Sequence, residues 1–383
     1  MKKLIVLSVV LALVASAAFA VDLGGTVIGG VNLVNGQAGD GASSDVMGGA
    51  QMKRIRIEGG GEAGEGKFGG YFRLDHEDKG AEDNGGLAGN AWWKPIDQVK
   101  IIVGSNGGDG FYGKEGVTGW MFYQTVSDAA TIVNPGNCWG GSYSGGGDDN
   151  IIFRNAFYGG DGGGNALRLE IKPIDILGIN IVLPYYMGTE TWGAPKDGKL
   201  EDLFNKITAQ IDLNFDFGNI ALTYTGKKDA GDIYLYYGGS FGDLGLDFGF
   251  HYNLEKDAAM GVGLGLKYAT DSFGLKFRTV ATLGGGDKFT KLLADVMPFF
   301  PLGDNLTAFV SVGLAMVVPD GGDTLIGWHF NPYLQIGEEW GSKFVIGIKV
   351  SNDAAGYRGS ATAPWVDEKI IKWSIPISIM VNF

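Results

Sequence analysis

Strict alternation of apolar and polar residues is the feature that most limits what this chain can fold into. Over Lys206–Phe215, Ile207, Ala209, Ile211, Leu213 and Phe215 share one face, and Lys206, Thr208, Gln210, Asp212 and Asn214 share the other. Leu246, Phe248, Phe250 and Tyr252 alternate with Asp247, Gly249, His251 and Asn253. Phe273, Leu275 and Phe277 oppose Lys276 and Arg278; Leu167, Leu169 and Ile171 oppose Arg168 and Glu170; Phe344, Ile346, Ile348 and Val350 oppose Gly347, Lys349 and Ser351. A helix of period 3.6 would scatter these residues around its surface, whereas a strand sorts them onto two sides of a sheet. The chain is therefore all-β.

The connections alternate in length. Short turns are expected at Lys94–Asp97, Lys172–Asp175, Asp216–Asn219, Phe241–Leu244, Asp271–Gly274, Pro301–Asp304 and Gly337–Ser342, and Lys-Pro-Ile-Asp occurs twice among them. Many intervening connections are longer and polar, at 76–88, 188–203 and 352–367. Short turns on one side and long loops on the other is the arrangement of a transmembrane antiparallel β-barrel, in which strands of ~10 residues turn apolar side chains to lipid and polar ones to the lumen. With both termini on the short-turn side the strand number is even. The best count is 18, from about Thr26–Val34 to Lys369–Phe383, with 16 the alternative, and 105–164 is read as one long inward-folding loop.

Residues 1–20 read as a signal peptide: Lys2 and Lys3, an apolar stretch from Leu4 to Ala17, and the small-x-small site Ala18-Phe19-Ala20. No later segment approaches the ~18–20 continuous apolar residues of a membrane helix. Residues 21–383 are thus expected to form an exported barrel, or a soluble exported β protein if the sorting of loops is accidental. Composition excludes several other classes. A net charge of −13 argues against nucleic-acid partners. One cysteine, Cys138, closes no disulfide. An apolar content of 45% with 67 glycines argues against disorder and for a β chain with many turns.

The last strand alternates Trp373, Ile375, Ile377, Ile379, Val381 and Phe383 with Ser374, Pro376, Ser378, Met380 and Asn382, and the chain ends on Phe383. An alternating final strand with a terminal aromatic resembles the assembly signal of outer-membrane barrels. Gln51–Leu74, with Arg54-Ile55-Arg56-Ile57-Glu58-Gly59, resembles a hairpin of the general diffusion porins of diderm bacteria; Asn90–Gly104 is similar to the next hairpin, and Asp149–Asn155 to the strand after the long third loop. The resemblance implies an outer-membrane porin, a passive channel for small hydrophilic solutes and ions. It implies outer-membrane lipid and the barrel assembly machinery as partners, a homotrimer, no cofactor, no metal and no enzymatic step. The rival readings are a barrel transporter for hydrophobic compounds and a surface adhesin or structural barrel.

On the polar faces, Arg54, Arg56, Arg73, Lys100, Arg168, Lys206, Lys276, Arg278 and Lys349 stand against Glu58, Asp75, Glu170, Asp212 and Asp247, so the wall leans positive. The excess acid falls in predicted loops: Glu77, Asp78, Glu82 and Asp83 in 76–88, and Asp109, Glu115, Asp148 and Asp149 among others in 105–164. The resemblance places Arg54, Arg56 and Arg73 in a constriction opposite the acids of the long loop. From the residues alone, pairing of these arginines with Glu58 and Asp75 across strands is the alternative. Trp92, Trp93, Tyr185, Trp340, Trp365 and Trp373 are expected in aromatic girdles. His76, His251 and His329 lie far apart, and no Ser–His–acid spacing stands out.

Overall fold

The computed structural model describes residues 22–39, 43–78, 83–105, 165–184, 207–227, 230–254, 260–283, 289–319, 324–338, 341–352 and 371–383. Its elements are all strands. They are β1 (Asp22–Ala38), β2 (Ser43–Ala63), β3 (Phe68–Asp78), β4 (Asp83–Ile96), β5 (Val99–Ser105), β6 (Asn165–Ile174), β7 (Leu177–Pro184), β8 (Thr208–Phe215), β9 (Gly218–Lys227) and β10 (Ala230–Phe241). Then follow β11 (Leu244–Asn253), β12 (Met260–Ala269), β13 (Gly274–Leu283), β14 (Phe289–Gly303), β15 (Leu306–Pro319), β16 (Leu325–Gly337), β17 (Lys343–Gly347), β18 (Lys349–Asn352) and β19 (Ile371–Asn382). β17 and β18 are two parts of one strand, since both pair with β16 and with β19. The meander therefore has 18 spans, as the sequence count anticipates.

Every neighbour pairs antiparallel, and β1 pairs with β19 to close the ring. Closure ends in two backbone bonds between Gly25 and Phe383, at 2.8 and 3.0 Å, and one from Thr26 Oγ1 to Asn382 Oδ1 at 2.9 Å. Both described ends lie on the short-turn side. The turns there are tight: Asp97-Gln98, Asp175-Ile176, Asp216-Phe217, Gly242-Asp243 and Asp304-Asn305. Aspartate suits them because its carboxylate can bond to nearby backbone amides. The β2–β3 turn runs through Gly64, Glu65 and Gly66 at φ 60°, 57° and 77°, a left-handed path in which two of three positions are glycine.

Period two decides what each face meets. Outside the ring, Ile211, Leu222, Phe248, Val312, Leu314, Phe330, Leu334, Ile379 and Val381 are exposed. Their inward neighbours Gln210, Asp212, Thr223, Asp247, Ser311, Asn331, Ser378 and Met380 are buried. In water this would be an inside-out protein. In a bilayer it is the low-energy arrangement, because lipid accepts the apolar band and the closed ladder satisfies the backbone. The expected lipid-facing Phe248 and inward Asp247 occupy those faces.

Two expectations need correction. The stretch 76–88 is not a long loop: β3 continues to Asp78 and β4 begins at Asp83, with Arg54 opposite Glu77 and Asp78 opposite Asp83 in the ladder. Polar residues there suggest a loop, but polarity also marks strand positions that do not face lipid. Trp92 is not in an outer girdle. Trp93 is exposed on the outside, so Trp92 shares the inward face of its neighbour Ile102, which is fully buried. Of the long connections, 106–164, 188–203 and 353–367 lie outside the described residues, as do Tyr185, Trp340, Trp365 and Cys138.

The break between β17 and β18 has a covalent cause. The pairing offset of β16 with β17 (Tyr333 with Gly347) continues unchanged into β18 (Phe330 with Val350), so Ile348 falls opposite Pro332. Ile348 donates to the Pro332 carbonyl at 2.9 Å, and proline has no N–H to return the bond. On the other side Pro376 sits opposite Asn32, at the bulge of the β1–β19 ladder between Asn32 and Val34. Replacing Pro332 by valine supplies the missing donor. It is expected to stabilise the barrel by about 1 kcal/mol, the net worth of one such bond, in a reversible urea titration; an unchanged midpoint would show that the Ile348 carbonyl is already satisfied.

Candidate functional site

The inward face of the barrel is the candidate site. Among the described side chains its cations include Arg56, Arg73, Lys94, Lys100, Arg168, Lys267, Lys276, Arg278, Lys343 and Lys349. Its carboxylates include Glu58, Glu170, Asp212, Asp232, Asp247 and Asp295. Lys267, Lys343, Asp232 and Asp295 were not singled out from the sequence. Lys206 and the loop acids Asp109, Glu115, Asp148 and Asp149 lie outside the described residues.

The arginines named from sequence come together on β2 and β3. The ladder sets Arg56 opposite Asp75 and Glu58 opposite Arg73, with Arg54 opposite Glu77 one step further. Each basic position thus faces an acidic one on the adjacent strand. Tyr71 donates to Glu58 Oε2 at 2.8 Å on the same face. On the neighbouring strands, the Trp92 ring lies across Gly69 and has the ammonium groups of Lys94 and Lys100 at 4.8 and 4.9 Å from its centre. An aromatic face next to cations is favourable because its quadrupole is negative.

Further round, acceptors and donors run in chains. Thr223 donates to Gln210 Oε1 at 2.9 Å, and Gln210 Nε2 and Asn180 Nδ2 donate to Asp212 Oδ2 at 2.7 and 2.9 Å. Tyr236 donates to Asp247 at 2.6 Å. Nearer the loop side, Asp232 Oδ1 lies 3.0 Å from His251 Nε2 and accepts from Asn253 at 2.9 Å, with the Tyr234 ring stacked on His251.

A cluster on β14, β15 and β16 joins residues that alternation along single strands does not connect. His329 Nε2 lies 3.2 Å from Ser311 Oγ and 3.7 Å from Asp295 Oδ1. A hydrolytic triad needs the serine and the acid on different ring nitrogens; here both approach Nε2, so this is a wall network and not a relay. Gly313 makes room for it, since a Cβ there would run into the His329 ring and Asp295 Oδ1. The signal that finds the cluster is symmetry about turns: Asp295 and Gly313 are equidistant from the Asp304 turn, and Gly313 pairs with His329 one hairpin later. Below it, Phe299, Phe309 and Tyr333 stack in sequence, at 5.7 and 4.7 Å between ring centres, and Tyr333 donates to Met297 Sδ at 3.5 Å. No group of three or more His, Cys, Asp or Glu among the described residues is placed to hold a metal ion.

No protein-family model matches the chain, and no curated protein matches it. Solved structures do. A BenF-like porin from Pseudomonas fluorescens Pf-5 is 10% identical, with 95% of this chain and 98% of that one covered and a TM-score of 0.56. Pseudomonas aeruginosa OccK2 (OpdF), solved in complex with glucuronate, is 11% identical over 95% and 98% of the two chains, with a TM-score of 0.55. Pseudomonas aeruginosa OccK11 (OpdR) is 10% identical over 94% and 96%, with a TM-score of 0.50. At these identities the likeness establishes the fold alone, a closed antiparallel barrel of 18 strands like those of the porins it matches.

Gly313→Val is expected to push His329 off Ser311 and Asp295 and to cost about 1–3 kcal/mol, the usual penalty of overpacking. Equal urea midpoints for the variant and the unsubstituted barrel would show that the ring has room to move.

Proposed function

We propose that the chain is an outer-membrane porin, a passive diffusion channel for small hydrophilic solutes and ions. The observation that carries this reading is the inward face: a closed ring of 18 spans whose inner side holds fixed charges of both signs while its outer side is apolar. Charges on a low-dielectric wall focus their field into the water column and sort what passes. The porin structures of the same fold support the reading.

Within it, Arg54, Arg56 and Arg73 set ion preference in the narrow zone, and segment 105–164 contributes the opposing acids Asp109, Glu115, Asp148 and Asp149. Phe383, whose backbone joins Gly25 and whose ring is exposed, is the residue that the assembly machinery reads. Three such barrels associate in the outer membrane. Because Arg56 and Arg73 face Asp75 and Glu58 in the ladder, neutralising the arginines leaves those acids in place and turns the local field negative.

Planar-bilayer recording tests the proposal. Purified protein should open in steps of stable size; persistent silence of correctly folded protein would contradict a channel and favour an adhesin. In a salt gradient, Arg54→Gln with Arg56→Gln is expected to move the reversal potential toward cation preference. The shift should shrink in molar salt, where the Debye length falls to ~3 Å. An unmoved potential at normal conductance would place the constriction elsewhere.

A further inference from the structure

We propose that the inner wall of β15, β16 and β18 carries a binding subsite for a neutral polyhydroxylated solute, centred on Asn331 and Ser351; this rests on the channel reading above. Four successive inward side chains of β16 are His329, Asn331, Tyr333 and Gln335, all buried. The Asn331 amide is 1% exposed, and neither its Nδ2 nor its Oδ1 has a hydrogen-bond partner. Gln335 Oε1 and Ser351 Oγ are buried and unpartnered as well, while Gln335 Nε2 holds the Gly337 carbonyl at 3.4 Å. The ladder pairs Asn331 with Ser311 and His329 with Ser351, so these groups belong to one sector of wall. Buried polar atoms are nearly always satisfied, by protein or by something bound, and three unsatisfied side chains in one sector mark a place where something binds.

The unmet demand selects the ligand. It comprises two carbonyl acceptors (Asn331 Oδ1 and Gln335 Oε1), one amide donor, and one hydroxyl that does either. An anion would satisfy the amide N–H but set negative charge against two carbonyl oxygens. A metal cation would satisfy the oxygens and leave the N–H stranded. A run of solute hydroxyls, each donor and acceptor at once, meets both. The same wall holds charges of both signs, with Asp295 on β14 set against Lys349 on β18 and Lys343 on β17, so charge alone does not select the ligand. Tyr333 stands between Asn331 and Gln335, backed by Phe309 at 4.7 Å, and gives the C–H faces of a sugar ring an apolar neighbour. The side chains are shielded from solvent in this state, so a solute enters by parting them and stays long enough to be seen as a discrete event.

The test uses the full-length protein in planar bilayers with sucrose as the probe and sodium gluconate as the anionic comparison. Sucrose should produce discrete current blocks whose frequency saturates, and gluconate should not. Asn331→Leu and Ser351→Ala should each shorten block residence at least tenfold, scaled to the variant's own open conductance. Asn331→Leu should also withstand more urea, because it removes an unsatisfied amide. Should that variant fail to fold, Ser351→Ala carries the test alone. A conducting channel with no discrete sucrose block, with blocks unchanged in both variants, or with block by gluconate instead, overturns the subsite while leaving the channel reading intact. Absence of conductance strikes the channel reading itself.

Discussion

Closure of the hydrogen-bond ladder is the constraint on which everything else rests. A strand in lipid has no water to satisfy its edge, so a spanning sheet must return to its own first strand. Here β1 does this by pairing with β19 along almost its whole length, down to the paired backbone of Gly25 and Phe383. The Phe383 ring lies against the bare Gly25 backbone, where a Cβ would meet it. Closure then fixes the faces. Once each strand's register is set, a one-residue slip would turn an entire apolar row into the lumen, and the resulting loss of burial in lipid holds all 18 spans in phase.

A closed ring of this size has a wide inner surface to furnish, and the chain does so with a mixture of charge, amide, hydroxyl and aromatic groups. Glycine makes the mixture fit. Trp92 lies across Gly69, His329 across Gly313, and Phe299 across Gly274. Large inward side chains therefore lie along the wall over neighbouring strands, and the polar chains between them connect strand to strand. The proline pair at 332 and 376 marks the one interruption of a strand among the described residues, next to the closing seam and beside the unsatisfied amide of Asn331. Backbone irregularity and unmet side-chain demand thus fall in the same sector.

Much of this was legible in the sequence because period two is a direct projection of the barrel's two faces. Lys206–Phe215 and Leu246–Asn253 needed no other information. What period two does not encode is which strands meet and where a polar stretch stops being strand. For that reason 76–88 read as loop, although Glu77 sits in the ladder opposite Arg54. Adjacent Trp92 and Trp93 cannot both face outward on one strand, a contradiction with the girdle reading that alternation itself contains. The Asp295–Ser311–His329 network and the Asn331 sector join residues 16 to 34 positions apart; they emerge only when each hairpin is folded about its turn. The pairing of Arg56 with Asp75 and of Arg73 with Glu58 obeys the same rule.

The central claim is that alternate residues face lipid and lumen in a closed ring. Site-directed spin labelling in bilayers tests it most directly. With Cys138 replaced by serine, nitroxides are placed at 309, 310, 311 and 312 on β15. Labels at 310 and 312 should relax strongly with lipid-dissolved oxygen and weakly with a water-soluble nickel chelate, and labels at 309 and 311 should not show that preference for oxygen. A period-two oscillation of the opposite phase, or none at all, would contradict the account.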